Sequence, residues 1–134
     1  ARIIETGMHK MHELDFDLEK IESAWGICPV SPTADQTLKA IGRTNDAVLY
    51  GGTAYYQFYC EDSEIEKIID DIPASASKDY GESFLKLYQR YNNFYDIDPM
   101  LFSPARVIIN NRKSGKTFKA GKINYEILKK SFFE

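Results

Sequence analysis

Two short β-prone runs near the end of the chain, 106–110 (Arg-Val-Ile-Ile-Asn) and 117–120 (Thr-Phe-Lys-Ala), flank Asn111-Arg112-Lys113-Ser114-Gly115-Lys116. Runs this close can pair only antiparallel, so the chain must hold a hairpin with a longer turn. Helix and strand signals mix irregularly around it. The clearest helix is 80–92, with Phe84, Leu87, Tyr88 and Tyr91 on one stripe. The aromatic-rich stretch 53–60 reads as a strand, as does 47–50, broken by Gly51-Gly52. The opening 2–8 reads as a short strand that bends at Gly7. Residues 11–18 alternate, Leu14, Phe16 and Leu18 against Glu13, Asp15 and Asp17, which predicts a half-buried strand. The stretch 18–24 either continues it or forms one helical turn. A loop at 26–33 carries Pro29 and Pro32.

Thr33 and Gln36 have capping-box spacing before a helix at 34–41 that stops at Gly42. Ser63 and Glu66 repeat the spacing ahead of Ile65, Ile68, Ile69 and Ile72, until Pro73 ends the run. Residues 74–78 read as a loop and 97–104 as a connector. Asn124 caps a last helix at 125–131, with Ile127, Leu128 and Phe132 inward. Without regular strand–helix–strand alternation, the pattern predicts an α+β fold with a mainly antiparallel sheet and packed helices, one domain over 1–134.

The 134 residues are 43% hydrophobic and 13% aromatic, enough to bury a core. A net charge of -3 gives no general field for nucleic acid, and no apolar run reaches the roughly 20 residues of a membrane span. No signal peptide opens the chain. Cys28 and Cys60, far apart and in no paired motif, read as reduced thiols of a cytoplasmic protein. The chain starts without Met, directly on Ala1-Arg2-Ile3-Ile4, as a cut product or fragment would.

Several constellations invite chemistry, each with a plainer alternative. Ser114-Gly115-Lys116-Thr117 hints at a phosphate loop, but the glycine required five residues before Gly115 is Asn110, and the segment joins two strands; a solvated hairpin tip fits better. His9 and His12 would share a face on a helix and ligate a metal there, but an extended segment points them apart, so no metal is expected. Arg2, Glu5, Thr6, Gly7, His9 and Lys10 form a polar cluster beside apolar Ile3 and Ile4. A carboxylate near a guanidinium is a candidate base, and more often an ion pair. Asn45, Asp46 and Tyr50 suit recognition of a heterocycle, and suit turns equally well. The aromatics Tyr55, Tyr56, Phe58 and Tyr59, and Tyr88, Tyr91, Phe94 and Tyr95, read as core and subunit contacts.

One resemblance joins these segments. Arg2-Ile-Ile-Glu5-Thr-Gly7-Met-His9-Lys10-Met, Thr44-Asn-Asp-Ala-Val-Leu-Tyr-Gly-Gly-Thr53, Ser75-Ala-Ser-Lys-Asp-Tyr-Gly81, Asp98-Pro99, Ser103-Pro-Ala-Arg-Val107 and Gly115-Lys-Thr-Phe-Lys-Ala-Gly-Lys-Ile-Asn124 resemble, in order and spacing, methenyltetrahydromethanopterin cyclohydrolase. The similarity runs from Ala1 to the last helix, against the later portion of a chain more than twice as long.

The resemblance implies a cytoplasmic archaeal enzyme of one-carbon metabolism and methanogenesis, built as a homotrimer of two-domain subunits. Its pterin carrier, tetrahydromethanopterin, is the substrate carrier; no metal or prosthetic group is expected. It implies that Glu5 activates water and Arg2 orients it. His9, Lys10, Asn45, Asp46 and Tyr50 are expected near the pterin, and Arg106 in a structural pair rather than on a carrier carboxylate or phosphate. The missing N-terminal half would supply the other pocket wall, so an alternative is a non-catalytic domain that folds and oligomerises alone. On a flat strand, Arg2 and Glu5 would face opposite ways, so they meet only if the segment bends.

Overall fold

The chain begins with a helix where a strand was expected. A computed structural model describes residues 2–93 and 95–133, so the Phe94 member of the aromatic stripe lies outside the described residues. Helix α1 (Arg2–Glu13) buries Ile3, Gly7, Lys10 and Met11, a spacing of four, three and one that only a helix brings to one face. Gly7 does not bend it. A Cβ at this position would strike the Tyr56 hydroxyl, which crosses there to donate to the Ile4 carbonyl at 2.8 Å. The helix closes on Asp15 at φ 63°, with the Phe16 N–H bonded to the Met11 carbonyl at 2.9 Å. That left-handed turn places Leu14 and Phe16 on the core, and explains why their alternation imitates a strand.

The order after α1 is a 3-10 turn (Leu18–Lys20), β1 (Ile21–Ile27), α2 (Thr37–Gly51), β2 (Thr53–Phe58), α3 (Asp62–Glu66), α4 (Phe84–Tyr91), β3 (Arg106–Asn111), β4 (Thr117–Gly121) and α5 (Tyr125–Phe133). The sheet order is β1-β2-β3-β4. The β1–β2 and β3–β4 pairs are antiparallel and β2–β3 is parallel, so the α+β, mainly antiparallel expectation holds. The hairpin forms as expected. Asp62 pins its turn, accepting from Ser114 Oγ and Asn111 Nδ2 at 2.7 and 2.8 Å.

The expected helix at 34–41 and strand at 47–50 are one helix, α2. Gly42 does not stop it; it faces Leu85 of α4, at a distance from which a Cβ would just touch. The capping box of α3 is Glu61 with Glu64, two residues earlier than expected, and α3 ends at Glu66 before a 3-10 turn at Ile69–Asp71. Helix α4 starts at Phe84 behind an Ser83 cap, so Tyr80 belongs to the preceding loop. Asn124 caps α5 as expected, accepting from the Ile127 N–H at 3.2 Å.

Two cores result. In the first, α1 and the isoleucines Ile65, Ile68, Ile69 and Ile72 cover one sheet face, made of Ala54, Tyr56, Phe58, Val107 and Ile109. In the second, Leu49 and Tyr50 of α2 pack with Phe84, Leu87, Ile97, Leu101 and Leu128. The other sheet face carries Trp25, stacked on Tyr55 at 4.0 Å between ring centroids. Cys28 and Cys60 are free thiols. No helix among the described residues is long and apolar enough to cross a membrane.

Candidate active site

Helix α1 starts beside the middle of α2, and their meeting builds the candidate site. Arg2 donates from its guanidinium to the Asn45 Oδ1 at 2.5 Å. Asn45 is buried and fixed from the other side, its amide donating to the Ile41 carbonyl at 3.0 Å. Burying an amide requires that both ends be bonded, and here both are. Around the pair opens a cleft of about 440 Å³, lined by Arg2, Asp35, Thr37, Ile41, Thr44 and Asn45. Thr37, Ile41 and Thr44 recur along one side of α2. That helical spacing was hidden in the sequence by reading 44–46 as a turn.

Glu5 lies one turn after Arg2 on α1 and is exposed. The helix removes the geometric obstacle of the flat strand, since residues three apart share a flank. Yet no ion pair joins Arg2 to Glu5: among the described residues neither has an opposite charge within 4.0 Å. The guanidinium is held by a neutral amide and keeps its charge uncompensated, and the carboxylate stands free in solvent beside it.

The other expected site residues separate. His9 is exposed, 3.8 Å from Glu13 on the same helix. Lys10 is eight residues beyond Arg2, about 12 Å along the axis, and is buried, with Nζ donating to the Met100 carbonyl. Burial lowers its pKa to about 8, against the opposing pull of Asp98 and Asp71. Lys10 therefore anchors the far end of α1 and does not line the Arg2 cleft.

Asp46 and Tyr50 point from α2 into the second core, away from Asn45. The Asp46 carboxylate accepts from the Phe84 N–H at 2.8 Å and from Ser131 Oγ at 2.5 Å. Burial pushes its pKa up to about 6, against those two bonds. The Tyr50 hydroxyl donates to the Glu82 carbonyl and accepts from the Gly81 N–H at 3.2 Å, while burial raises its pKa well above the ordinary tyrosine value. Adjacent positions on a helix diverge by about 100°, which is why Asn45 and Asp46 serve different neighbourhoods. Arg106 donates from Nε to Thr53 Oγ1 at 3.2 Å. Among the described residues no group of three or more His, Cys, Asp or Glu is disposed to hold a metal.

Sequence reasoning missed a hydrogen-bonded cluster that ties 77–79 to Tyr91 and Asp98. Asp79 accepts from Tyr91 Oη and from the Asp98 N–H, each at 2.7 Å, and Ser77 Oγ donates to Asp98 at 2.7 Å. The motif 75–81 and Asp98 signalled it, but their sequence separation hid the contact.

The exposed carboxylate of Glu5 and the guanidinium of Arg2 thus stand on one helix of an α+β domain, and Arg2 lines an open cleft at the start of that helix. The family model described as Cyclohydrolase (MCH) matches residues 1–132, and the chain belongs to that family. It is 43% identical over 135 residues to the methenyltetrahydromethanopterin cyclohydrolase of Methanothermobacter marburgensis, covering 98% of this chain and 42% of the relative. The Methanocaldococcus jannaschii protein of the same name is 43% identical over 134 residues, with coverage of 98% and 42%. That of Rhodopirellula baltica is 41% identical over 135 residues, with coverage of 98% and 40%. The chain thus spans about two fifths of the length of these relatives, matching their C-terminal portion. Relatives in bacteria such as Rhodopirellula baltica and Methylobacillus flagellatus broaden the expected archaeal restriction.

Proposed function

We propose that this chain forms the wall of a cyclohydrolase that carries its water-activating carboxylate. The reaction is reversible hydrolysis of 5,10-methenyltetrahydromethanopterin to the 5-formyl derivative. The observation that carries this reading is the exposed Glu5 carboxylate one helical turn from Arg2, whose guanidinium lines a cleft together with Asn45. The names of the relatives supply the substrate.

The methenyl bridge is a cation shared between two nitrogens, and its carbon is the electrophile. Water adds to that carbon while Glu5 takes one of its protons. The resulting hydroxylated carbon collapses. Its C–O–H becomes a formyl C=O with loss of the second proton, the bond to N10 breaks, and Glu5 returns its proton to N10. The balance is cation plus water giving neutral formyl product and one proton. Glu5 also faces the positive bridge, which favours binding of the substrate. Arg2, fixed by Asn45 and not paired with Glu5, offers its guanidinium to the carrier's polar groups. His9 sits a turn beyond Glu5 on the exposed side of α1, outside the cleft lining. The chemistry asks for no metal and no prosthetic group.

The exposure of Glu5 favours a second reading for the chain in isolation. A general base works best where water is restricted, and the opposite wall belongs to the N-terminal portion found in the relatives. In this reading the isolated chain folds and associates, as a trimer in the cytoplasm, but turns over nothing until that portion is supplied. Loss of the methenyl chromophore, followed by ultraviolet absorbance, tests both. Decay above the buffer blank after adding the N-terminal portion supports the proposal. No decay and no pterin binding under either condition refutes it.

A further inference from the structure

The second core opens on a cavity of about 290 Å³ between α2, α4 and α5, on the flank of α2 away from Asn45. Four cations wall it: Lys39 and Arg43 from α2, Lys86 from α4 and Lys130 from α5. A charged face of one helix would place its lysines at helical spacing along solvent. These cations come from three separate helices and converge on one concavity.

The four cations outnumber the two acids in the wall, of which Glu82 has a cation of its own and Asp46 is held by neutral donors. Asp46 accepts from Phe84 and Ser131, and Glu82 pairs with Arg90 at 3.1 Å. Arg43 is fixed by two carbonyls, Nε to Ser131 at 3.1 Å and Nη1 to Thr33 at 2.6 Å, and neither removes its charge. Among the described residues, Lys39, Lys86 and Lys130 have no acid within 4.0 Å. The wall also contains Gly81, Ser83 and Leu85 at the start of α4, where Asp46 and the Ser83 hydroxyl already accept from the Phe84 and Lys86 N–H groups. The protein as a whole is acidic, at -3, so this local excess of positive charge is not a general property of its surface.

We propose that this cavity binds an oxyanion of the phosphate class, either free phosphate or the phosphoryl end of a small molecule. Lys86 and Lys130, exposed at the mouth, supply charge-assisted hydrogen bonds, and Arg43 holds the fixed positive wall. The site is independent of the Arg2 cleft. A chain that binds phosphate here but no pterin keeps this inference and loses the proposed function.

The test is a titration of the 15N-labelled chain with sodium phosphate, against sodium chloride at matched ionic strength. Phosphate is expected to give saturable shifts at the amides of Ser83, Leu85, Lys86 and Ser131. Lys86→Gln and Lys130→Gln should each weaken binding about tenfold, with far-UV circular dichroism unchanged, whereas Lys119→Gln on β4 should leave it intact. A parallel titration with phenyl phosphate separates the sources. Tighter binding at the same amides assigns the cavity to a phosphorylated molecule, and equal or weaker binding assigns it to free phosphate. Shifts that never saturate, that chloride reproduces, or that survive both lysine substitutions unchanged overturn the proposal.

Discussion

Asp46→Asn should stabilise the chain at neutral pH. Burial holds the Asp46 carboxyl at about 6, against an ordinary 3.8. That difference, about 2 units at about 1.4 kcal/mol each, sets an upper bound of about 3 kcal/mol. The folded chain holds this proton more tightly than the unfolded chain does. Its contribution is therefore fully present below about pH 4, and is lost as pH rises through about 6. Asparagine keeps an oxygen for the Phe84 N–H and removes the buried charge, and the Ser131 hydroxyl can turn to accept from the new amide. Urea denaturation followed by circular dichroism should show a variant about 1–3 kcal/mol more stable than the parent at pH 7.5, with the gap closing towards pH 4. A gap independent of pH, or a variant less stable at pH 7.5, would refute the reasoning. It would mean that the carboxylate's two hydrogen bonds outweigh its desolvation.

Three further outcomes follow from the packing. Asn111→Ala removes side-chain bonds to the Cys60 N–H and carbonyl, to Asp62 and to the Lys113 N–H, and should cost about 2–4 kcal/mol in urea denaturation with an unchanged slope. Gly7→Ala pushes a methyl group into the Tyr56 hydroxyl and should cost about 2–4 kcal/mol, partly recovered in the double variant with Tyr56→Phe, as thermal denaturation would show. Lys10 is charged but buried below about pH 8, so its contribution to stability rises between about pH 8 and 10.5; relative to Lys10→Met, the parent should gain up to about 3 kcal/mol across that window.

The sequence was most legible where local chemistry decides the outcome. The 106–120 hairpin and the Asn124 cap need only neighbouring residues, and both formed as expected. Helix α1 was not legible, because Ile3-Ile4 and Gly7 imitate a bent strand. What makes it a helix is the fit of Gly7 under Tyr56, a partner 49 positions away. Helix α2 was split for a similar reason. Thr44-Asn45-Asp46 is turn-like in isolation, and becomes helical because Asn45 meets Arg2 while Asp46 meets Phe84 and Ser131. Strand β1 was half legible: 18–24 reads as strand or helical turn and is a 3-10 turn followed by a strand, with Glu22 and Ser23 both facing solvent beside a register shift that breaks the alternation. Of the residues expected at the site, Arg2 and Asn45 meet and Glu5 and His9 follow on the same helix, whereas Lys10, Asp46 and Tyr50 lie in the interior. Motif order alone could not separate these groups, since two successive helix residues, Asn45 and Asp46, serve the Arg2 cleft and the second core respectively.

The measurement closest to the centre of this account is Glu5→Gln in the intact cyclohydrolase, with binding and turnover of the methenyl substrate measured separately. Removing the base while keeping its shape should lower kcat by about 10²–10⁴-fold and leave the Kd within about tenfold, the remaining loss being attraction between carboxylate and cationic bridge. A variant that turns over at the parent rate would show that another group takes the proton from water.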